Sequence, residues 1–183
     1  SAAGEIIVRS EANMLGYWRR PDLTEKTLRD GWMWTGDIAT WDSEGYVFIV
    51  DRAKDMIIRG GENLYPREIE EFLYTHPAIS DVQVFGVADE KFGEQVCAWI
   101  IPREGQSLTA EDVQAFCKGK IAHYKVPRYV NLVEEFIMTV TGKARKIEMR
   151  KAMEARRKEF IAKFDKDGDG KLNEDERKAA MAA

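Results

Sequence analysis

DRAKDMIIRGGENLYPRE, Asp51 to Glu68, is the stretch at which the chain changes its structural rhythm. It opens on a dense charge switchback, Asp51-Arg52-Ala53-Lys54-Asp55, continues as strand-like Asp55 to Arg59, and crosses the paired glycines Gly60 and Gly61. Pro66 then marks a helix start, because its fixed φ and missing N–H suit a first turn. Ile69, Phe72 and Leu73 fall on one face of the helix this predicts over Pro66 to Tyr74.

Upstream of this stretch the chain reads as short strands and turns. Gly4 to Val8 is strand-like, Pro21 to Arg29 reads as a short helix stopped by Gly31, and Trp34 to Trp41 reads as a strand. The turn Asp42-Ser43-Glu44-Gly45 leads into Tyr46 to Val50, a hairpin signature of alternating and β-branched residues. Downstream, Ile79 to Val87, Val96 to Ile101 and Tyr129 to Val133 are strands. Thr109-Ala110-Glu111-Asp112 is a capping signature ahead of a helix carrying Val113, Phe116 and Cys117. Ile147 to Phe164 has no Pro or Gly and is rich in good helix formers. The fold class expected is α+β: the end of a β-rich subdomain, a small α+β domain with a short sheet flanked by helices, and a helix-loop-helix tail. The expected boundaries are 1–51, 52–152 and 153–183.

With 44% hydrophobic and 33% charged residues in 183, a packed fold is expected. The net charge of −4 argues against nucleic acid or anionic membrane as partners, since both select a basic surface. No apolar run reaches the length of a membrane span and the N-terminus has no signal pattern, so a cytoplasmic location is expected. Cys97 and Cys117 have neither metal spacing nor a CxxC relation and read as reduced, buried residues. His76 and His123 lack a helical partner or carboxylate cluster for a metal, and the five Trp residues suit a packed core better than base stacking. The chain begins Ser-Ala-Ala-Gly rather than Met and is strand-like by Glu5, so it reads as one piece of a larger polypeptide.

The tail DKDGDGKLNEDE, Asp165 to Glu176, matches a twelve-residue calcium loop. Asp165, Asp167 and Asp169 stand at the first, third and fifth positions, Gly170 at the turn, and Lys171 offers its carbonyl. Asn173 is at the ninth position and Glu176 is the bidentate twelfth. Calcium is the expected ion. Such loops usually come in pairs, and this one stands alone with a short exit helix, so a calcium sensor is not the leading reading of the whole chain.

Three further segments carry chemistry. Trp34-Thr35-Gly36-Asp37 puts a carboxylate just past a Gly at a strand start, the Asp51 to Glu68 stretch follows, and Thr139-Val140-Thr141-Gly142-Lys143 presents one Lys on a Thr/Gly loop. Taken singly, Asp37 also reads as a turn cap, and the Asp51 to Asp55 charges and Lys143 as solvated surface. In this order and spacing the segments resemble the closing motifs of the adenylate-forming superfamily, the acyl-CoA synthetases, aryl-CoA ligases and luciferases.

The resemblance covers about residues 4 to 152. It makes 1–51 the end of a large N-terminal domain, 52–152 a small mobile C-terminal domain, and 153–183 an appended single EF-hand. It implies that Asp37 accepts hydrogen bonds from both ribose hydroxyls of ATP, a task for a two-oxygen acceptor, with Arg52 beside the same ribose. Lys143 matches the catalytic Lys between the substrate carboxylate and the α-phosphate, where a point charge offsets repulsion between anions. Lys54 falls at the family's hinge, about which the small domain rotates between two half-reactions. The Gly60-Gly61-Glu62-Asn63 loop then approaches the pantetheine arm, and Phe92, Tyr124 and Arg128 match positions that contact CoA. The form of this loop resembles CoA ligases more than carrier-loading domains. Ile137 departs from the family pattern, which usually has Pro there.

The implied cofactors are ATP/AMP, CoA and Mg2+, and the implied partners are a small carboxylic acid and the absent large domain with its phosphate loop and acid pocket. The isolated piece is expected to be inactive. The competing expectation is a calcium-binding regulatory or interaction module that keeps the ligase-like fold without catalysis.

Overall fold

The structure, a computed structural model, describes residues 3–167 and 173–181. Its first sheet is built around one long strand, β3 (Trp32–Trp41), which pairs antiparallel with β1 (Gly4–Val8), β2 (Leu28–Arg29) and β4 (Val47–Arg52). Helix α1 begins with Pro at its first turn and runs Pro21–Thr27. The sequence reading extended this helix to Arg29, and the structure corrects it. Leu28 turns extended, Leu28 and Arg29 pair with Met33 and Trp32, and Asp30 and Gly31 both take positive φ between them, at 52° and 80°. Asp-Gly is a favoured pair for a two-residue hairpin turn whose twist matches the flanking strands, so the hairpin prevails over helix propensity.

The second sheet has the order β6-β5-β8-β7, with β9 parallel on β8. Its strands are β5 (Ile57–Arg59), β6 (Glu62–Leu64), β7 (Ile79–Asp89), β8 (Gly93–Pro102) and β9 (Tyr129–Leu132). The long β7–β8 hairpin alternates with period two, so each face receives its own set of side chains. Val82, Val84, Val96, Ala98 and Ile100 face a core completed by Ile69 and Leu73 of α2 (Pro66–Leu73) and Val113 and Cys117 of α3 (Ala110–Cys117). Phe85, Val87, Cys97 and Trp99 face the other way, onto Phe136 and the fully buried Met149 of α4 (Lys146–Phe164). Both faces are thereby covered by helices. Thr109 caps α3 through a reciprocal capping box with Asp112, as its sequence signature predicts. A short helix α5 (Glu174–Met181) follows the tail loop, and α4 runs unbroken across residues 152 and 153.

The tryptophans do not form the packed core expected of them. Trp99 is buried at 4% exposure, whereas Trp18 is 85% and Trp41 61% exposed, and Tyr46, Val47, Phe48 and Ile49 of β4 and its approach are also open. The first sheet therefore leaves apolar side chains of β4 open on both of its faces among the described residues.

Candidate functional site

Asp37 is not at a strand start but inside β3, at an irregularity in its pairing. Gly36 takes a φ of 75°, its N–H donates to the Glu5 carboxylate, and its carbonyl accepts from Ala53. Asp37 faces Arg52 in register across β4, and the Arg52 Nε donates to Asp37 Oδ1 at 3.1 Å. Both side chains remain open to solvent, at 34% and 52% exposure, so the pair adds little to stability and keeps donors and acceptors available. The pair sets a two-oxygen acceptor beside a fork of donors. Lys54 is exposed in the turn leaving β4, where Arg52's carbonyl accepts from Asp55 and Met56. Across that turn, Asp51 Oδ2 accepts from the N–H of Arg67 in the first turn of α2 at 2.9 Å, tying the two sheets together.

The Gly60-Gly61 segment, read from sequence as part of a loop, is a tight hairpin turn. Arg59 pairs with Glu62, and the two glycines between them take φ of 60° and 88°, which residues with side chains rarely adopt. Two glycines flanked by strand residues are the sequence signal for β6. Glu62 and Asn63 are exposed on β6. The turn is anchored to the β7–β8 hairpin: Gly60 N–H donates to the Phe92 carbonyl at 2.8 Å, Arg59 Nε donates to Gln95 Oε1 at 2.9 Å, and the Arg59 guanidinium lies 4.3 Å from the centre of the Phe92 ring.

Lys143 sits exposed on a loop closed on itself. Thr139 N–H donates to the Lys143 carbonyl, the Lys143 N–H donates to Thr139 Oγ1 at 3.0 Å, and the two threonine hydroxyls are 2.9 Å apart. Ile137, where the resembled family usually has Pro, packs against the second core while its carbonyl accepts from Arg145. Behind the loop, Lys146 at the start of α4 pairs with Glu70 of α2 at 2.8 Å, both largely buried.

A cleft of about 1050 Å³ opens between the β7–β8 turn, α3 and α4. Phe92 and Arg128 meet there, together with Arg59, Lys118, Arg157 and Phe160. The preponderance of cations and an aromatic face fit a ligand with phosphates and a planar ring. Tyr124 instead packs against the first core, its ring edge-on to His123. The contributions of Arg157 and Phe160 had no sequence signal. They depend on α4 crossing the end of β7, where Arg157 Nη1 donates to the Ala88 carbonyl at 2.6 Å.

In the tail, carboxylate oxygens of Asp165, Asp167 and Glu176 lie within 4.8 Å of one another. Glu176 is buried and accepts from the N–H groups of Lys166 at 2.7 Å and Asn173 at 2.9 Å, which hold its carboxyl below the usual range. Asn173 in turn accepts from the N–H groups of Asp175 and Glu176 at the start of α5. Asp169, Gly170 and Lys171 lie outside the described residues. The thiols of Cys97 and Cys117 are buried, and burial pushes them up to about 12 and about 11. His76 stacks edge-on against Phe116 and accepts from the Ala78 N–H.

Comparison with known proteins bears on this arrangement. Residues 68–143 match the family of the AMP-binding enzyme C-terminal domain. The human medium-chain acyl-CoA ligase ACSF2, a mitochondrial protein, is 49% identical over 152 residues, which are 82% of this chain and 25% of that protein. A putative acyl-CoA synthetase of Bacillus subtilis, YngI, is 52% identical over 148 residues, covering 80% and 27% respectively. Among solved structures, ATP-bound MatB from Rhodopseudomonas palustris superposes with a TM-score of 0.77 at 34% identity, over 82% of this chain and 30% of that one. The chain spans about a quarter of the length of the curated relatives it matches. Residues 68–143 thus match the AMP-binding enzyme C-terminal domain, and the similarity to acyl-CoA ligases extends beyond them over about four fifths of the chain.

Proposed function

We propose that the chain is the C-terminal part of an ATP-dependent, AMP-forming acid-CoA ligase. In the first half-reaction a carboxylate attacks the α-phosphorus of ATP and expels pyrophosphate. In the second, the CoA thiol attacks the acyl carbon of the adenylate, loses its proton and expels AMP. The observation that carries this reading is the near-50% identity to acyl-CoA ligases over four fifths of the chain. Asp37 and Arg52 would hold the ribose, Asp37 as a two-oxygen acceptor and Arg52 as a fixed fork of donors. Lys143 would place its ammonium between the two anions that react first. Mg2+ would reduce the charge of the ATP phosphates. The cationic cleft with Phe92 and Arg128 would receive the nucleotide end of CoA, and the Gly60-Gly61 turn would approach its pantetheine arm.

The exposed apolar side chains at the β3–β4 edge of the first sheet support a large N-terminal domain as the partner that completes the enzyme. That domain would carry the phosphate loop and the pocket for a small carboxylic acid. In the complete enzyme, Lys143→Ala should lower carboxylate-dependent pyrophosphate release by about a hundredfold or more, while thioester formation from supplied acyl-adenylate persists. Loss of both half-reactions to the same extent would count against the assignment of Lys143. The isolated chain should show no carboxylate-dependent pyrophosphate release.

The tail is proposed to bind calcium, on the strength of the loop pattern and the convergence of Asp165, Asp167 and Glu176. Binding to the folded state alone stabilises it by about 2.7 kcal/mol at a hundredfold excess over Kd. Thermal melts should therefore rise with calcium for the native chain and not for Glu176→Gln. If calcium binds but ligase kinetics in the complete enzyme ignore both Asp37 and Lys143, the chain is a calcium-binding module on a ligase-like fold.

A further inference from the structure

The Gly60-Gly61 turn is held by more than its own hairpin. β5 and β8 pair at one position only, Arg59 with Gly93, so the backbone ladder ends almost as it begins. The Ile58 N–H, one residue away, finds its acceptor in a side chain: Glu94 Oε2 on β8, at 2.7 Å. Glu94 reaches this position because the neighbouring strand leaves it room. A Cβ on Gly86 of β7 would lie 2.6 Å from Glu94 Oε1 and 2.8 Å from its Cδ, closer than such atoms approach. The φ of Gly86 is ordinary, so its lack of a side chain is explained by this carboxylate and not by backbone conformation. Next to Glu94, the buried Gln95 holds Arg59.

From this geometry we infer that Glu94, seated over Gly86, is a positioning residue for the thioester-forming half-reaction. The inference rests on the ligase reading above. Glu94 touches no reacting atom in this account. Its carboxylate sets where β5 ends and hence where the Gly60-Gly61 turn stands relative to Phe92 and the cleft. A charge-assisted bond to a backbone N–H is among the stronger ones a surface strand can make. Lys143 lies on a separate loop closed by its own hydrogen bonds, so adenylation does not depend on this anchor.

The test uses the complete enzyme with Gly86→Ala, Glu94→Ala and Glu94→Gln. Two readouts are compared: carboxylate-dependent ATP–pyrophosphate exchange, and thioester formation from supplied acyl-adenylate and CoA. Gly86→Ala and Glu94→Ala should slow the thioester step roughly tenfold or more while exchange stays within about twofold, and Glu94→Gln, which keeps an acceptor oxygen, should recover most of the loss. Amide hydrogen exchange at Ile58 should quicken in the two impaired variants and not in Glu94→Gln. An unchanged thioester step, or equal loss of both half-reactions, overturns the inference. Unchanged Ile58 exchange in Glu94→Ala overturns the anchor itself. A wild-type enzyme without carboxylate-dependent exchange overturns the ligase reading and the catalytic part of this inference, while the Ile58 amide still decides the anchor independently.

Discussion

Asp37 and Arg52 form an ion pair that the fold does not need, and the proposed ligase reading gives it a chemical role instead. Both are solvated, and exposed ion pairs contribute between nothing and about 1 kcal/mol. Arg52→Ala should therefore shift the unfolding free energy of the chain by no more than about 1 kcal/mol, measured by urea titration, yet on the ligase reading raise the KM for ATP of the complete enzyme several-fold. A large loss of stability with unchanged KM would make the pair a structural clasp. The thiols behave oppositely. With Cys97 and Cys117 raised to about 12 and about 11 by burial, a thiol reagent at neutral pH should leave both unmodified in the folded chain and modify both after denaturation. That these cysteines are reduced and buried was legible from spacing and residue type alone. That Asp37 sits on a strand irregularity beside Arg52 was not, because it follows from the register of β3 against β4.

Elements were legible where the signal was local. The capping box of α3 was visible in Thr109 and Asp112, and Thr109→Ala should lower stability by about 1 kcal/mol near neutral pH. Hydrogen bonds from the Thr109 hydroxyl, then from its N–H, hold the Asp112 carboxyl below its usual value. The stabilisation is thus fully present above the ordinary aspartate pKa and is lost as pH falls through the lowered one. The gap in melting temperature between the native chain and Thr109→Ala should accordingly narrow on acidification, and a constant gap would show that the carboxylate takes no part. Two hairpin turns, Asp30-Gly31 and Gly60-Gly61, look in sequence like a helix end and a loop, although their dipeptides favour positive φ at both positions. Gly61→Ala has open space around the new methyl, so its cost is backbone strain at φ of 88° and should appear as weakened β5–β6 pairing in amide exchange. Met149 anchors α4 with no exposed surface, and Met149→Ala should cost about 2 to 5 kcal/mol by the same urea titration.

At the scale of the whole molecule, the two sheets differ in completeness. The second has helices on both faces and its own two cores. The first leaves Trp41, Val47, Phe48 and Ile49 exposed at the β3–β4 edge, so the isolated chain should bind a hydrophobic dye strongly there, and Trp41→Ser with Phe48→Ser should reduce that binding. The Asp51 contact to the start of α2 spans the turn that carries Lys54. On the proposed ligase reading the small domain would rotate about that turn and break this contact, so Asp51→Ala should shift the balance of the two rotation states in the complete enzyme, read as a change in the ratio of the two half-reaction rates. The order of motifs, the periodicity of the long strands and helices, the capping box and the calcium-loop pattern were determined by the sequence by itself, since each rests on neighbours along the chain. The tertiary structure alone decided that Glu94 lies over Gly86 and reaches Ile58, that Arg157 and Phe160 join Phe92 and Arg128 in one cleft, and that most tryptophans stay exposed. Those placements depend on strand register and on how α4 crosses the sheet, and both are set by the summed burial of residues far apart in the chain, which no local window of sequence contains.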